Sequence, residues 1–225
     1  VFLLCIQRCK KMDKKYWDYY YEQHGTDKGI SLYSTFAEFC LNKFFIKNNM
    51  NIIELGSGNG RDAIYFAHHH HNVIAMDQST IAIDIEKKSL NSDVSIYLHP
   101  KALDFVQGEY SQYGHIDAFY SRFTIHAITK DDEDLLLPKI YKSLNNKGLF
   151  CIEARTIKDP LFGIGEYCGN NTYITDHKRR FIDSHEFVRK VLSLGFELLY
   201  FTEEKNLSIY KDDNPVLMRI ILRKI

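Results

Sequence analysis

Apolar runs of strand length alternate along most of the chain with longer stretches whose apolar residues recur at helical spacing. The runs predict strands at 52–55, 73–76, 94–98, 116–120 and 149–153. The stretches between them predict helices at 61–67, 79–90 and 131–144. Pro138 lies inside the last of these helices and predicts a kink or a later start. Strands that alternate with helices at this spacing indicate a doubly wound, mostly parallel α/β sheet with helices on both faces.

The C-terminal section breaks this rhythm. A predicted helix at 184–194 is followed by two β-like runs at 196–202 and 216–222, with no helix between them. We expect these runs to form a hairpin through residues 211–215, so that one strand runs antiparallel to its neighbour. The predicted fold is therefore a Rossmann-like, mostly parallel seven-stranded sheet with an antiparallel C-terminal strand.

The N-terminal section is rich in aromatic residues and predicts two helices, one at 14–23 and one that begins at Ser34 or Thr35. Thr35 and Glu38 have the spacing of a capping box. We expect this section to cover the mouth of a binding site, with one or more of Tyr19, Tyr20 and Tyr21 facing the ligand. In the alternative interpretation, its aromatic side chains only pack on the sheet.

The length of 225 residues fits one α/β domain. We expect residues 12–225 to form it, with 12–46 as a helical cover and 47–225 as the catalytic core, and residues 1–11 to be an upstream extension or a non-native start. Lysine plus arginine and aspartate plus glutamate are equal at 29 each, which gives no support for a nucleic-acid partner. The apolar start at 1–6 is far shorter than a membrane span, so no membrane partner is expected.

Cysteine and histidine usage points to no special chemistry. The five cysteines are odd in number and lack CxxC spacing, which predicts free thiols in a reducing compartment, the cytoplasm. The four consecutive histidines at 68–71 are expected on a solvated helix end, and no metal site is predicted.

A glycine-rich turn follows the first predicted strand and leads into a helix; it reads Glu54-Leu55-Gly56-Ser57-Gly58-Asn59-Gly60. Glycines allow the backbone to take positive φ and to approach a ligand closely, and the amides at the helix start favour an anionic group. The second predicted strand ends in Asp77, which is well placed to accept hydrogen bonds from a ribose. The sequence therefore predicts a nucleotide-like ligand at this turn.

Two cofactor classes fit such a turn. A nicotinamide or flavin dinucleotide would require a third glycine at position 61, where the chain has Arg61. The predicted C-terminal hairpin is also not the ending expected of a dinucleotide-binding half. A dinucleotide is thus the weaker alternative.

At these residues the chain resembles the class I S-adenosylmethionine-dependent methyltransferases, and the resemblance extends over nearly all of residues 16–224. The Gly-Asn-Gly-Arg-Asp form of the turn and the stretch from Phe119 to His126 are most similar to small-molecule methyltransferases of the tellurite-resistance-like type and to relatives associated with polysaccharide biosynthesis. The resemblance implies S-adenosyl-L-methionine as the cofactor. It implies the following cofactor-binding residues: Glu54, Gly56, Ser57, Gly58, Gly60, Asp77, Gln78, Asp104, Phe105, Ser121 and Arg122. The alternative for Asp77 is a helix cap, and for Asp104 an acid in a surface loop.

Candidate catalytic residues follow the fourth and fifth predicted strands. His126 has a pKa suited to a general base, and Glu153 with Arg155 forms a second candidate group that could act on an acceptor or hold its polar groups. The connection at 156–182 is long enough to predict a substrate lid, from which we select His177 and Arg180 together with Tyr20 as substrate-binding residues. The alternatives are a structural histidine, an ion pair at the rim and a solvated basic loop.

The sequence thus predicts an enzyme that transfers a methyl group to a hydroxyl or amine of a small molecule, for which a sugar or nucleotide-linked precursor is a candidate. A protein or RNA methyltransferase of the same fold is one alternative. A catalytically inactive cofactor-binding partner protein is another. The expected partner is a small molecule rather than a nucleic acid or a membrane.

Overall fold

The computed structural model describes residues 14–27 and 32–225. The predicted extension at 1–11 lies outside the described residues. Ten strands are present in this part of the chain: β1 (Asn51–Leu55), β2 (Asn72–Asp77), β3 (Leu98–Ala102), β4 (Ala118–Arg122), β5 (Leu149–Arg155), β6 (Glu166–Tyr167), β7 (Thr172–Ile174), β8 (Lys178–Arg180), β9 (Phe196–Glu204) and β10 (Leu217–Lys224). Seven helices accompany them: α1 (Lys14–His24), α2 (Thr35–Lys43), α3 (Arg61–His68), α4 (Thr80–Lys88), α5 (Ser92–Ser95), α6 (Lys130–Ser143) and α7 (Ser184–Ser193).

Seven strands form one sheet in the order β3-β2-β1-β4-β5-β10-β9. The first five strands of this order are parallel, whereas β10 runs antiparallel to both β5 and β9. The predicted fold is confirmed, including the antiparallel strand near the C-terminus. The strand order reverses between β1 and β4, and such a reversal opens a crevice at the carboxyl ends of the strands.

Both faces of the sheet are covered. Along β1, Ile53 and Leu55 belong to one hydrophobic cluster and Ile52 to another, because successive side chains of a strand point to opposite faces. Phe119 and Tyr120 of β4 divide in the same way. This double burial explains why the central strands read as continuous apolar runs.

The third strand lies four residues later than predicted. Residues 92–95 form helix α5, because the Asn91 side chain accepts hydrogen bonds from the amides of Asp93 and Val94 and starts a helix there. Strand β3 contains Pro100. This proline is tolerated because β3 is the edge of the sheet, where a missing N–H group costs no hydrogen bond between strands. Asp104 and Phe105 consequently follow the end of β3 closely.

Two helix starts also differ in detail. Ser34 caps α2, with its Oγ accepting from Ala37 N at 3.0 Å, so the predicted capping box of Thr35 and Glu38 does not form. Helix α6 continues through Pro138 and begins earlier than predicted, at a capping box made by Thr129 and Asp132.

The long connection after β5 is not a structureless loop. Strands β6, β7 and β8 form a separate antiparallel sheet inside it. The amide of Arg180 donates to the carbonyl of His126 at 2.9 Å, which attaches this small sheet to the segment after β4. The carboxyl edge of the main sheet therefore carries an additional layer.

One cysteine and one histidine differ from the expectation of free thiols and solvated histidines. Cys40 and Cys151 are free and buried, but Cys168 is disulfide-bonded, so the prediction of free thiols is wrong for that residue. His71 is buried and its Nδ1 accepts from Met50 N at 3.2 Å, which gives it a structural role.

Candidate functional site

A cavity of about 410 Å³ opens at the carboxyl ends of β1, β2, β4 and β5. Eleven of the residues selected from the sequence line it: Tyr20, Glu54, Gly56, Ser57, Asp77, Gln78, Phe105, Arg122, His126, Arg155 and His177. Six others do not: Gly58, Gly60, Asp104, Ser121, Glu153 and Arg180. A volume of this size falls in the range of sites for small molecules and cofactors.

Asp77 ends β2 and is almost fully buried at the cavity wall. Its Oδ2 accepts from Gly58 N at 2.9 Å and its Oδ1 accepts from Ser79 N at 2.8 Å. Burial raises the pKa of Asp77 to about 6, although these two amides oppose the shift. Each carboxylate oxygen retains acceptor capacity, so the group suits a ligand that donates from hydroxyl groups.

The glycine loop is shaped by close neighbours. Gly56 and Gly58 have φ angles of 72° and 59°, which side chains rarely adopt. A Cβ at Gly56 would lie 2.2 Å from Cγ2 of Thr124, and one at Gly58 would lie 2.2 Å from the Tyr21 hydroxyl. Gly58 therefore supports the site from beneath the covering helix without lining the cavity itself.

Two buried polar atoms at the cavity have neither a hydrogen-bond partner nor an ion-pair partner within the described part of the chain. They are Oε2 of Glu54 and Nε2 of Gln78. Burial, with the nearby carboxyls of Asp62 and Glu86, raises the pKa of Glu54 well above its ordinary value. Unpaired buried polar groups are costly, so an acceptor and a donor left open beside a cavity indicate that a ligand completes them.

Glu153 lies away from the cavity, between two arginines. It is the register partner of Arg122 on β4 and of Arg219 on β10, so the three side chains stand side by side across the sheet. Its Oε1 lies 3.0 Å from Arg122 Nε, and its Oε2 accepts from Arg219 Nε at 2.6 Å. The fully buried Glu153 carboxylate therefore positions Arg122 and is not placed to act on a substrate in the cavity.

His126 lines the cavity, but its hydrogen bonding opposes the predicted role of general base. Nδ1 accepts from the backbone amide of Arg155 at 3.1 Å, so the neutral ring carries its proton on Nε2. Burial, together with the charges of Arg155 and Arg179, lowers the pKa of His126 well below its ordinary value. The ring thus stays neutral and presents an N–H donor.

Arg155 is fixed by two carboxylates. Its Nη1 donates to Asp159 Oδ2 at 3.0 Å, and its Nη2 donates to Asp213 Oδ2. Asp213 belongs to the connection between β9 and β10, which also lines the cavity through Ser208 and Tyr210. The C-terminal hairpin therefore contributes to the site.

Helix α1 covers the cavity with one face. Tyr16, Trp17, Tyr20 and Tyr21 line the cavity because residues three and four apart share a helix face, whereas Tyr19 points outward and is 64% exposed. The helix is held from the glycine-loop side by Ser79 Oγ, which donates to Asp18 at 2.7 Å.

The opposite end of the same cover is held by the small sheet. The rings of Tyr16 and His177 stack with their centroids 4.6 Å apart. The cover helix thus bridges the two sides of the cavity mouth, as Ser79 precedes α4 and His177 precedes β8.

Successive side chains at and just before strand β8 point to opposite faces of the strand. His177 and Arg179 face the cavity, whereas Arg180 is buried elsewhere. Arg180 Nη2 donates to Glu133 Oε2 at 2.6 Å and to Ile125 O at 2.9 Å. The structure therefore gives Arg180 a structural contact in place of the predicted contact with substrate.

Sequence reasoning did not select many of the residues that line the cavity. They are Tyr16, Trp17, Tyr21, Asn59, Arg61, Asp62, Phe123, Thr124, Ala127, Asp176, Arg179, Ser208, Ile209, Tyr210 and Asp213. Helical spacing from Tyr20 could have indicated the aromatic ones on α1, and adjacency to the glycine turn could have indicated 59–62. The segment at 208–213 gives no comparable signal.

Residues 52–148 match the sequence model of a family described as "Methyltransferase domain". The matched segment holds the glycine turn and Asp77, and it is similar to a methyltransferase domain. This finding supports the predicted methyltransferase resemblance and its S-adenosylmethionine cofactor. The finer resemblance to tellurite-resistance-like and polysaccharide-associated relatives stays a prediction. No curated protein matches the chain.

Solved structures share the fold of this methyltransferase domain at low sequence identity. A SAM-dependent methyltransferase from Anabaena variabilis is 17% identical, covers 96% of this chain and 98% of its own, and has a TM-score of 0.70. The glycopeptide N-methyltransferase MtfA, complexed with S-adenosyl-L-methionine, is 14% identical, covers 87% and 96%, and has a TM-score of 0.65. The [4+2]-cyclase SpnF is 11% identical, covers 84% and 79%, and has a TM-score of 0.65. At these identities the likeness concerns the fold alone.

Among residues 14–27 and 32–225, no helix combines the length and the apolar character that crossing a bilayer requires.

Proposed function

We propose that the methyltransferase domain transfers a methyl group from S-adenosylmethionine to a hydroxyl or amine of a small molecule, with a sugar or nucleotide-linked precursor as a candidate. The observation that carries this proposal is the covered cavity. Helix α1 closes one side of the mouth and the small β6–β8 sheet adjoins it, with the Tyr16 and His177 rings in contact. A cavity of about 410 Å³ beneath such a cover favours a small acceptor over a folded protein or an RNA.

The residues on the β1 and β2 side fit the cofactor. The Asp77 carboxylate would accept from ribose hydroxyls, and the unpaired Glu54 Oε2 and Gln78 Nε2 offer an acceptor and a donor for further polar groups. Phe105 is apolar and lines the same side, where it would cover a purine ring. The bound cofactor supplies a methyl group on a positively charged sulfur.

The residues on the β4 and β5 side would position the acceptor. Transfer of a methyl group is an in-line displacement, for which alignment of the two reacting atoms is the main contribution of a protein. Neutral His126 would donate from Nε2 to an oxygen of the acceptor. Arg122, held by the buried Glu153, and Arg155, held by Asp159, give this side rigid polar walls.

The test combines binding with turnover. S-adenosylmethionine and its demethylated product should each raise the melting temperature, because a ligand that binds only the folded state stabilises it. Methyl transfer from labelled cofactor to a panel of small hydroxyl and amine compounds should then be detectable. Binding of the cofactor with no transfer to small molecules, but with transfer to protein or RNA, would replace the proposed substrate class.

A catalytically inactive cofactor-binding protein is the second candidate, because the fold leaves the reaction open. SpnF, which shares the fold, is named a [4+2]-cyclase, so the fold does not by itself determine the reaction. A melting-temperature shift with no methyl transfer to any class of acceptor would support this candidate. The cytoplasm stays the predicted compartment.

A further inference from the structure

Arg179 differs from the other arginines at the acceptor end of the cavity in having no carboxylate partner. Two arginines that line this end are paired: Arg122 with Glu153, and Arg155 with Asp159 and Asp213. Arg180, which lies outside the cavity, is paired with Glu133. Arg179 forms no ion pair or side-chain hydrogen bond with any residue in the described ranges 14–27 and 32–225. Its guanidinium is nevertheless partly buried and lines the cavity.

The direction of Arg179 follows from the alternation of strand β8. Arg180 and Lys178 share one face of the strand, and Arg179 stands on the other, as does His177 just before the strand. Since His177 also lines the cavity, this alternation directs the Arg179 side chain toward the cavity. A guanidinium that is withdrawn from water without a partner is costly, and a ligand that supplies a partner offsets that cost.

The charges around Arg179 leave it only partly compensated. Two carboxylates influence it from a distance, but each has a closer partner: Asp176 lies 3.0 Å from His177 Nδ1, and Asp213 is paired with Arg155. Burial and the neighbouring Arg155 guanidinium lower the pKa of Arg179, against the opposite influence of Asp176 and Asp213. His126 adds a neutral N–H donor at the same end.

We infer that the methyl acceptor carries an anionic oxygen group, a carboxylate or a phosphate, which Arg179 binds at the acceptor end of the cavity. The planar guanidinium matches two oxygens of either group with parallel hydrogen bonds. The Nε2–H group of His126 is the second donor available to the same anion. This inference rests on the proposed function, since it names the class of acceptor for that site.

The single tryptophan provides a direct readout. Trp17 lines the cavity, and its ring lies 5.5 Å from that of His177, so its fluorescence reports on this end of the site. The ligand-free protein is titrated at constant ionic strength with inorganic phosphate, with succinate and with the uncharged succinamide. At least one anion should produce a saturable change, and succinamide should produce none. The more effective anion identifies the group as phosphate or carboxylate.

Variants assign the effect to Arg179. Arg179→Gln should raise the Kd of the effective anion roughly tenfold to a hundredfold, as expected for loss of a charged hydrogen-bond donor, and Arg179→Lys should retain part of the affinity. Arg189→Gln, a charge removal at an exposed position on α7, should leave the Kd unchanged. An unchanged melting temperature for Arg179→Gln would show that the variant is folded.

The inference is overturned if neither anion binds saturably, or if Arg179→Gln binds the anion as tightly as the wild-type protein. The titration is carried out without cofactor, so it is independent of the cofactor-induced melting shift. If the anion does not bind but the cofactor still raises the melting temperature, only the inference about Arg179 is overturned. A missing shift with intact anion binding removes the proposed function, and with it the identification of the anion as part of a methyl acceptor, while Arg179 remains an anion-binding residue.

Discussion

Glu86 is a fully buried carboxyl group beneath the glycine loop, and replacing it by glutamine tests the electrostatics of the site in the ligand-free protein. Ser57 Oγ donates to its Oε2 at 3.0 Å, whereas Oε1 has no hydrogen-bond partner in the described part of the chain. The loop passes so close that a Cβ at Gly60 would lie 2.3 Å from Glu86 Cγ. Burial raises the pKa of Glu86 to about 8 from its ordinary value of 4.5.

This shift fixes the sign and size of the expected effect. Between pH 4.5 and about 8 the folded protein binds more protons at this group than the unfolded chain does, so the free energy of unfolding falls as the pH rises. A shift from 4.5 to about 8 corresponds to about 5 kcal/mol, since one pKa unit is worth about 1.4 kcal/mol. Glutamine retains the shape and the acceptor for Ser57 but does not ionise. We expect Glu86→Gln to equal the wild-type protein near pH 4.5 and to be more stable by about 3 to 5 kcal/mol above pH 8.

Urea unfolding followed by circular dichroism, at fixed ionic strength across this pH range, measures the difference between the two proteins. Glu22→Gln is the control, because Glu22 is exposed on α1 and its replacement makes the same chemical change at the surface, where it should affect stability little. If the difference in the free energy of unfolding between the wild-type protein and Glu86→Gln stays constant with pH, the pKa of Glu86 is not raised by burial as described.

Three further predictions concern the walls of the cavity. Glu153→Gln should lower the free energy of unfolding, measured in urea, by about 3 kcal/mol, because it leaves Arg122 and Arg219 without the buried carboxylate that they share. A loss below about 0.5 kcal/mol would contradict the pairing of Glu153 with both arginines. Nitrogen-15 NMR at pH 7 should find the proton of His126 on Nε2, and a proton on Nδ1 would restore the general-base interpretation. Gly58→Ala should reduce cofactor affinity and lower the free energy of unfolding by about 1 to 2 kcal/mol or more, owing to its positive φ and the Tyr21 hydroxyl. Gly163→Ala shares the positive φ but its Cβ meets nothing within 4 Å, so calorimetry should find its cofactor affinity unchanged.

The parts of the fold that the sequence predicted well are those with a strong local signal. Both faces of β1, β4 and β5 are buried, so their apolar runs are continuous and easy to recognise. Strand β3 has no such signal, because it is a mostly exposed edge strand that contains Pro100. Asn91 and the following polar residues instead form a short helix where the apolar pattern predicted a strand.

The candidate site shows the same limit. Asp77 was selected correctly as a cavity residue, because its position directly after an apolar strand determines which edge of the sheet it occupies. The choice between Arg179 and Arg180 depends on which face of β8 meets the cavity, and a short strand in a polar loop carries no pattern that reveals this. The pairing of Glu153 with Arg219 depends on β10 lying beside β5, which is a property of the sheet order rather than of either segment.

The crevice beside Asp77 is the proposed binding site of S-adenosylmethionine. Calorimetric titration of the demethylated cofactor into the wild-type protein, Asp77→Asn and Asp84→Asn tests this assignment. Asp84 is an exposed acid on α4 and serves as the matched control. We expect saturable binding to the wild-type protein and to Asp84→Asn, and a Kd roughly tenfold to a hundredfold higher for Asp77→Asn, as expected when charge-assisted hydrogen bonds to ribose hydroxyls are lost. No binding to the wild-type protein, or equal affinity in Asp77→Asn, would contradict the assignment of the site.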